Sequence, residues 1–205
     1  MQLDLGYVEN VIDKLPRGSG SWKKRSIDDI KYLILHQSLG RDSTAKSINA
    51  YHIRPPDKTK RHPKAWGRGW PKAAYTFIIE RDGEIKQCNE LSAHSYHSGK
   101  NGNRTGIGIC ICGHFEGEGH VVDQPTPERY FNEPTVAQLE SLERLVTDLL
   151  RLLKIDIEDI TTHREIGGKL ACPGFAIEQW IYNYKDGVRF VDNPIPFSTD
   201  KPWCG

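Results

Sequence analysis

Lys31-Tyr32-Leu33-Ile34-Leu35-His36 is the first strong pattern in the chain, an apolar β-forming run that ends on a histidine. Ahead of it, residues 1–28 are polar, and Gly18-Ser19-Gly20-Ser21 makes a flexible stretch. Behind it, Asp42-Ser43-Thr44 offers N-caps for a helix reaching about Tyr51, with Ala45, Ile48 and Tyr51 spaced along one face. Residues 54–72 are rich in Pro, Gly, Lys and Arg and read as a long loop, a length that often carries function. Ala74 to Glu80 is a second strand, and Arg81-Asp82-Gly83 a tight turn, because Asp-Gly tolerates the positive φ that such turns need. Glu84 to Cys88 returns as its hairpin partner, and residues 92–105 form a polar loop.

Gly106 to Cys112 alternates glycine with Ile and Cys, which suits a buried central strand, and the glycines predict close backbone approach on one face. Residues 134–154 are the clearest helix: Pro134 suits a first turn, and Val136, Leu139, Leu142, Val146, Leu149 and Leu153 fall three or four apart. Asp159 to His163 is a short extended piece that again ends on a histidine, and a loop from Gly167 to Gly174 leads into an amphipathic segment from Phe175 to about Tyr184. The order β-α-β-β-β-α-β-α predicts an α/β fold of the mixed α+β kind, a single domain with a central mixed sheet flanked by helices. The expected divisions are an N-terminal extension over 1–28, the domain over 29–185 and an extended C-terminal tail over 186–205.

The length of 205 residues suits one domain with a real core. Lys+Arg number 28 and Asp+Glu 27, for a net charge of +1. That balance argues against a protein that coats nucleic acid or anionic lipid, since both need concentrated positive charge. No apolar stretch approaches the ~18 residues of a membrane span. Met1 to Asn10 lacks the basic start, apolar run and cleavage site of a signal peptide, so the expectation is synthesis in the cytoplasm without membrane insertion. Five cysteines cannot all pair internally, and Cys110 and Cys112 sit one residue apart within an apolar run, so no disulfide framework is expected.

His36, His163 and Cys172 stand out as chemistry. Each histidine follows an extended apolar run, and Cys172 precedes Pro173-Gly174 in a loop. Neighbouring strand ends converge at one edge of a sheet. Two imidazoles and a thiolate then make a three-ligand zinc shell whose fourth position is left to water, the arrangement of catalytic zinc. On spacing alone, hydrogen-bonded histidines and a buried thiol explain the same residues, because no short regular ligand motif is present.

Six segments in one order extend the reading. They are Leu33-Ile34-Leu35-His36, Gly69-Trp70-Pro71, Ala74 through Gly83, Ser95-Tyr96-His97-Ser98-Gly99, Gly106-Ile107-Gly108-Ile109, and His163-Arg164-Glu165 through Cys172-Pro173-Gly174. Together, over about residues 29–184, they resemble the type-2 N-acetylmuramoyl-L-alanine amidases. That family includes phage lysozymes of the T7 type, cytosolic amidases of peptidoglycan recycling and animal peptidoglycan recognition proteins. The resemblance implies hydrolysis of the amide between the lactyl group of N-acetylmuramic acid and L-alanine in peptidoglycan. It implies one Zn2+ ion on His36, His163 and Cys172, at one edge of the sheet.

By the same resemblance Tyr75 is the catalytic tyrosine and Lys169 the lysine that stabilises the oxyanion, although Lys169 stands three residues before Cys172 rather than the usual two. His97 and Trp70 match substrate-groove positions. Gln37 stands where many relatives carry a second histidine, which alters the surroundings of the metal. Trp66 and Trp70, among Lys64, Arg68 and Lys72, are suited to stack on sugars or bases. Cys110 and Cys112 read as small buried residues. The Tyr-x-Phe-Ile-Ile-x-Arg-Asp-Gly strand and Ala-Cys-Pro-x-Phe ending look most like the phage enzymes. A monomeric endolysin that reaches the wall after release from the host cytoplasm is therefore expected. The alternatives are a cytosolic muropeptide-recycling amidase and a non-catalytic peptidoglycan-binding module.

Overall fold

The computed structural model describes residues 5–62, 67–115 and 131–190. Among the described residues eight strands form two sheets: β1 (Val8–Asn10), β2 (Lys23–Lys24), β3 (Tyr32–Gln37), β4 (Phe77–Ile79), β5 (Ile85–Gln87), β6 (Ala93–His94), β7 (Gly106–Ile111) and β8 (Ile160–Thr162). The α-helices described beside them are α1 (Ala45–Ile53), α2 (Gly99–Thr105), α3 (Val136–Leu153), α4 (His163–Gly167) and α5 (Phe175–Lys185). The main sheet runs β1-β5-β4-β7-β3-β8, and β2 and β6 form a small antiparallel pair. Only β4 and β5 run antiparallel in the main sheet; the other neighbours are parallel. The expected mixed sheet flanked by helices is therefore the architecture found. Among the described residues no helix is long and apolar enough to cross a membrane.

The period of two in the central strands decides what covers each face. Leu33 and Leu35 of β3, Phe77 and Ile79 of β4, and Ile107, Ile109 and Ile111 of β7 join one cluster with Leu139, Leu142, Val146 and Leu149 of α3 and Ile177, Trp180 and Ile181 of α5. The alternate residues Ile78, Cys110 and Cys112 face the other way, where they meet Cys88 and Ala45 and Ile48 of α1. Small residues on that side of β7 leave space. A side chain at Gly106 would strike Ile34 at 2.2 Å, and one at Gly108 would strike the His97 ring at 2.8 Å. The glycines predicted close backbone approach on one face; the atoms that come nearest at Gly106 and Gly108 belong instead to the Ile34 and His97 side chains.

Local signals hold the frame. Glu80 and Glu84 pair across the Asp82-Gly83 turn, where Gly83 has φ +87°. Thr44 caps α1 and Thr135 caps α3, each in a reciprocal capping box. The helix therefore starts at Val136, and Pro134 lies just outside it. Gln138 donates to the Cys112 carbonyl at 2.8 Å, which seats the start of α3 on the end of β7.

Three segments differ from expectation. Residues 5–28 are built into the fold rather than appended to it: β1 pairs with β5, and Tyr7 donates to Asp148 on α3 at 2.7 Å. The polar stretch 92–105 contains β6 and α2, whose sequence Gly-Lys-Asn-Gly-Asn-Arg-Thr is poor in helix formers. Gly102 there packs against Ile166, where a Cβ would come within 2.7 Å of its methyl, so tertiary contact decides this turn. The strand expected over 74–80 is regular only over Phe77–Ile79, which leaves Tyr75 just ahead of it. Of the expected tail, Phe190 is buried and its N–H donates to Glu143; residues 191–205 lie outside the described residues, as does Trp66.

Candidate metal centre

Parallel register brings the two histidines together. Leu35 on β3 lies opposite Thr162 on β8, so His36 and His163 are the next residues along both chains. Thr162 also caps α4 through a capping box with Glu165, which turns the chain into the helix at His163. The two imidazole rings lie edge to face with centroids 4.7 Å apart. Gly167, one turn on, has no side chain, and a Cβ there would meet His163 at 2.5 Å. The sites thus form at the carboxyl ends of parallel strands, with β8 the edge strand.

Cys172 returns to the same place by a closed loop. Its N–H donates to the Lys169 carbonyl at 3.0 Å, and its carbonyl accepts from the Arg164 N–H at 3.0 Å. Arg164 also donates through Nε to the Leu170 carbonyl at 2.6 Å and pairs with Glu178 on α5 at 3.2 Å. Gln37 ties the loop to the sheet: its amide donates to the Ala171 carbonyl, and its Oε1 accepts from the Phe115 N–H at 2.6 Å. This buried glutamine is the residue that follows the first histidine.

His36, His163 and Cys172 place one donor atom each within 4.8 Å of one another. Cys172 Sγ lies 3.7 Å from His36 Nδ1. Zinc bonds of about 2.3 Å to sulfur and about 2.05 Å to nitrogen at a tetrahedral angle put such a pair about 3.6 Å apart, so this pair fits a shared zinc ion. Burial holds His36 well below the ordinary histidine range, reinforced by His97 and His163. Burial, then the nearby Lys169, lowers His163 to about 4. Both imidazoles are neutral at pH 7 and keep a lone pair for a metal. The donor set of two imidazoles and a thiol suits zinc.

The other expected site residues surround this centre. The Tyr75 ring lies 5.0 Å from the His36 ring. The residue is half-buried, its hydroxyl hydrogen-bonds with the Cys110 thiol, and burial pushes its pKa up. Lys169 is exposed on the loop, with its N–H near the His163 carbonyl and its charge close enough to depress that imidazole. Trp70 is partly exposed and meets His52, Trp22 and Tyr96 at ring separations of 5.0, 6.4 and 6.0 Å.

His97 is not on an open groove. It is buried behind His36, with His97 Nδ1 3.0 Å from His36 Nε2. The Ser-Tyr-His-Ser-Gly pattern located the residue but not its depth; the exposed neighbour is Tyr96. Sequence reasoning missed Arg25, which is buried and donates to the Leu91, Asn103, Arg104 and Gly106 carbonyls. An arginine that follows Lys23-Lys24 in a polar stretch carries no signal of burial. Cys88, Cys110, Cys112 and Cys172 are all buried, and none forms a disulfide.

Comparison with known proteins places these features. The family described as N-acetylmuramoyl-L-alanine amidase matches residues 26–175. The endolysin of Escherichia phage T7 is 32% identical over 113 residues, an alignment covering 55% of this chain and 66% of the relative. Among solved structures, the endolysin amidase LysCS from Clostridium intestinale URNW superposes with a TM-score of 0.59 at 20% identity, over 85% of this chain and 95% of that one. The Ph2119 endolysin of a Thermus scotoductus MAT2119 bacteriophage gives 0.62 at 19%, over 87% and 97%.

Proposed function

The chain belongs to the N-acetylmuramoyl-L-alanine amidase family, and from that membership we propose that it hydrolyses the lactyl–L-alanine amide of bacterial peptidoglycan as a zinc-dependent, endolysin-type enzyme. The observation that carries this reading is the convergence of His36, His163 and Cys172 on one point, with Tyr75 beside them. When bound, zinc supplies a Lewis acid for the amide carbonyl and activates water at neutral pH. The protein's own groups divide the remaining work. His36 and His163 arrive neutral and ready to ligate. Tyr75, with its pKa raised, stays protonated and serves as a hydrogen-bond donor that orients water or substrate rather than as a free base. Lys169, on the exposed side of His163, brings positive charge to where the oxyanion develops. Trp70 and its aromatic neighbours offer faces on which a sugar can lie.

The lytic role is supported by the phage endolysin relatives. Such an enzyme meets its substrate in the cell wall, after release from the host cytoplasm. The test is digestion of purified sacculi and of soluble muropeptides, with mass spectrometry of the products. Stem peptides with a free N-terminal L-alanine, lost with chelator and in Cys172→Ser, are expected from sacculi. Cleavage between sugars would refute the amidase reading. Activity on muropeptides alone would refute the lytic role, and wall binding without cleavage would identify a recognition module.

A further inference from the structure

One backbone carbonyl sets the direction of a buried chain of hydrogen bonds behind the metal centre. The Gly106 oxygen can only accept. It takes a bond from Arg25 Nη1 at 2.7 Å and lies 3.2 Å from His97 Nε2, so that ring nitrogen carries hydrogen. A neutral His97 then has its lone pair on Nδ1, which lies 3.0 Å from His36 Nε2. That contact requires hydrogen on His36 Nε2. The lone pair of His36 is left on Nδ1, the nitrogen that faces Cys172 Sγ at 3.7 Å.

The surroundings are built for this chain. Arg25 also donates to the Leu91, Asn103 and Arg104 carbonyls, so the guanidinium holds β7, α2 and the segment before β6 in one place. Gly108 leaves space for the His97 ring, because a Cβ there would sit 2.8 Å from both Cγ and Nδ1. His36 and His97 are both buried, so water does not compete for these bonds.

We propose that His97, with Arg25 and the Gly106 carbonyl behind it, is a positioning residue that fixes the tautomer and ring orientation of His36 so that Nδ1 is presented as the metal donor. The inference rests on the metal-centre reading. It moves His97 from the substrate groove to the support of a ligand, and it gives Arg25 a role that reaches the site through two intermediates. Partners of this kind typically change metal affinity by about 10–100-fold when removed.

The test uses the whole chain. Nitrogen-15 NMR of the zinc-free wild type reads the tautomer of His36 directly. Hydrogen on Nε2 is expected, and hydrogen on Nδ1 would overturn the proposal without any variant. Zinc affinity is then measured by competition with a chromophoric chelator. His97→Leu keeps a buried apolar volume but has no acceptor, and is expected to bind zinc about 10–100-fold more weakly with a mixed His36 tautomer. His97→Gln restores an acceptor and a donor, and is expected to recover most of the loss. Wild-type affinity with an unchanged tautomer in His97→Leu would overturn the proposal. If that variant does not fold, the wild-type spectrum and His97→Gln still decide. A wild type that binds no zinc would overturn the metal centre itself, and the positioning role with it.

Discussion

Gln37→Leu is a sharp perturbation of the loop that carries Cys172. Glutamine bridges two backbone groups there, accepting from the buried Phe115 N–H at 2.6 Å and donating to the Ala171 carbonyl. Leucine has nearly the same volume, so the change removes two hydrogen bonds while leaving little cavity. An unsatisfied buried donor costs about 1–3 kcal/mol. The Ala171 carbonyl is only partly buried and can recruit water, so its cost falls near the low end, about 1 kcal/mol. Burying an apolar side chain in place of an amide returns about 1 kcal/mol. The balance is a loss of about 1–3 kcal/mol, or roughly 4–8 °C in Tm at a central value of about 2 kcal/mol. Urea unfolding measures the stability, and chelator competition measures zinc affinity. Both are expected to fall, because the residue next to Cys172 loses its tether to β3. A change under about 0.5 kcal/mol with unaltered zinc affinity would refute the reasoning, since the two backbone groups would then be satisfied without Gln37.

Zinc at about 100 times its dissociation constant should stabilise the folded chain by about 2.7 kcal/mol, or roughly 5–10 °C in Tm. Cys172→Ser should abolish most of that shift, and an equal shift in the variant would exclude Cys172 as a ligand. His52 is buried, accepts from the Ala74 N–H at 3.1 Å, and is lowered to about 3 by burial and then by Arg68. Its unfolded value is about 6.5, so below that pH the unfolded chain binds more protons and stability falls with pH until about 3. At pH 5 this costs about 2 kcal/mol relative to pH 7; His52→Gln should flatten that part of the urea-derived profile, and parallel profiles would count against it. Thr135 accepts from the Gln138 N–H at 3.1 Å and donates to the Arg81 carbonyl at 2.9 Å, so Thr135→Ala should cost about 1–2 kcal/mol by the same unfolding assay. A loss below about 0.3 kcal/mol would show that α3 does not depend on this cap.

The amino-acid order by itself determined the elements whose signal is local. The alternation in β7 assigned its faces, because a period of two puts all three of its isoleucines on one side of the sheet. Asp82-Gly83 specified a hairpin, Thr44 marked the start of α1, the leucine spacing marked α3, and two histidines at strand ends with a loop cysteine marked the chemistry. The short α4, which Thr162 and Glu165 start in a capping box, was not among the expected helices. Only the tertiary structure decided the rest. β1 has three residues and no apolar run, so its place on β5 depends on a partner strand far away in the chain. α2 is rich in glycine and asparagine, and forms because Gly102 packs on Ile166 against the local preference. The register of β3 on β8, which sets His36 beside His163, is a relation between segments that no window of sequence contains. The same holds for His97 and Arg25. A histidine or arginine looks alike in sequence whether it faces solvent or a buried carbonyl, and only the folded chain brings Gly106 to both of them.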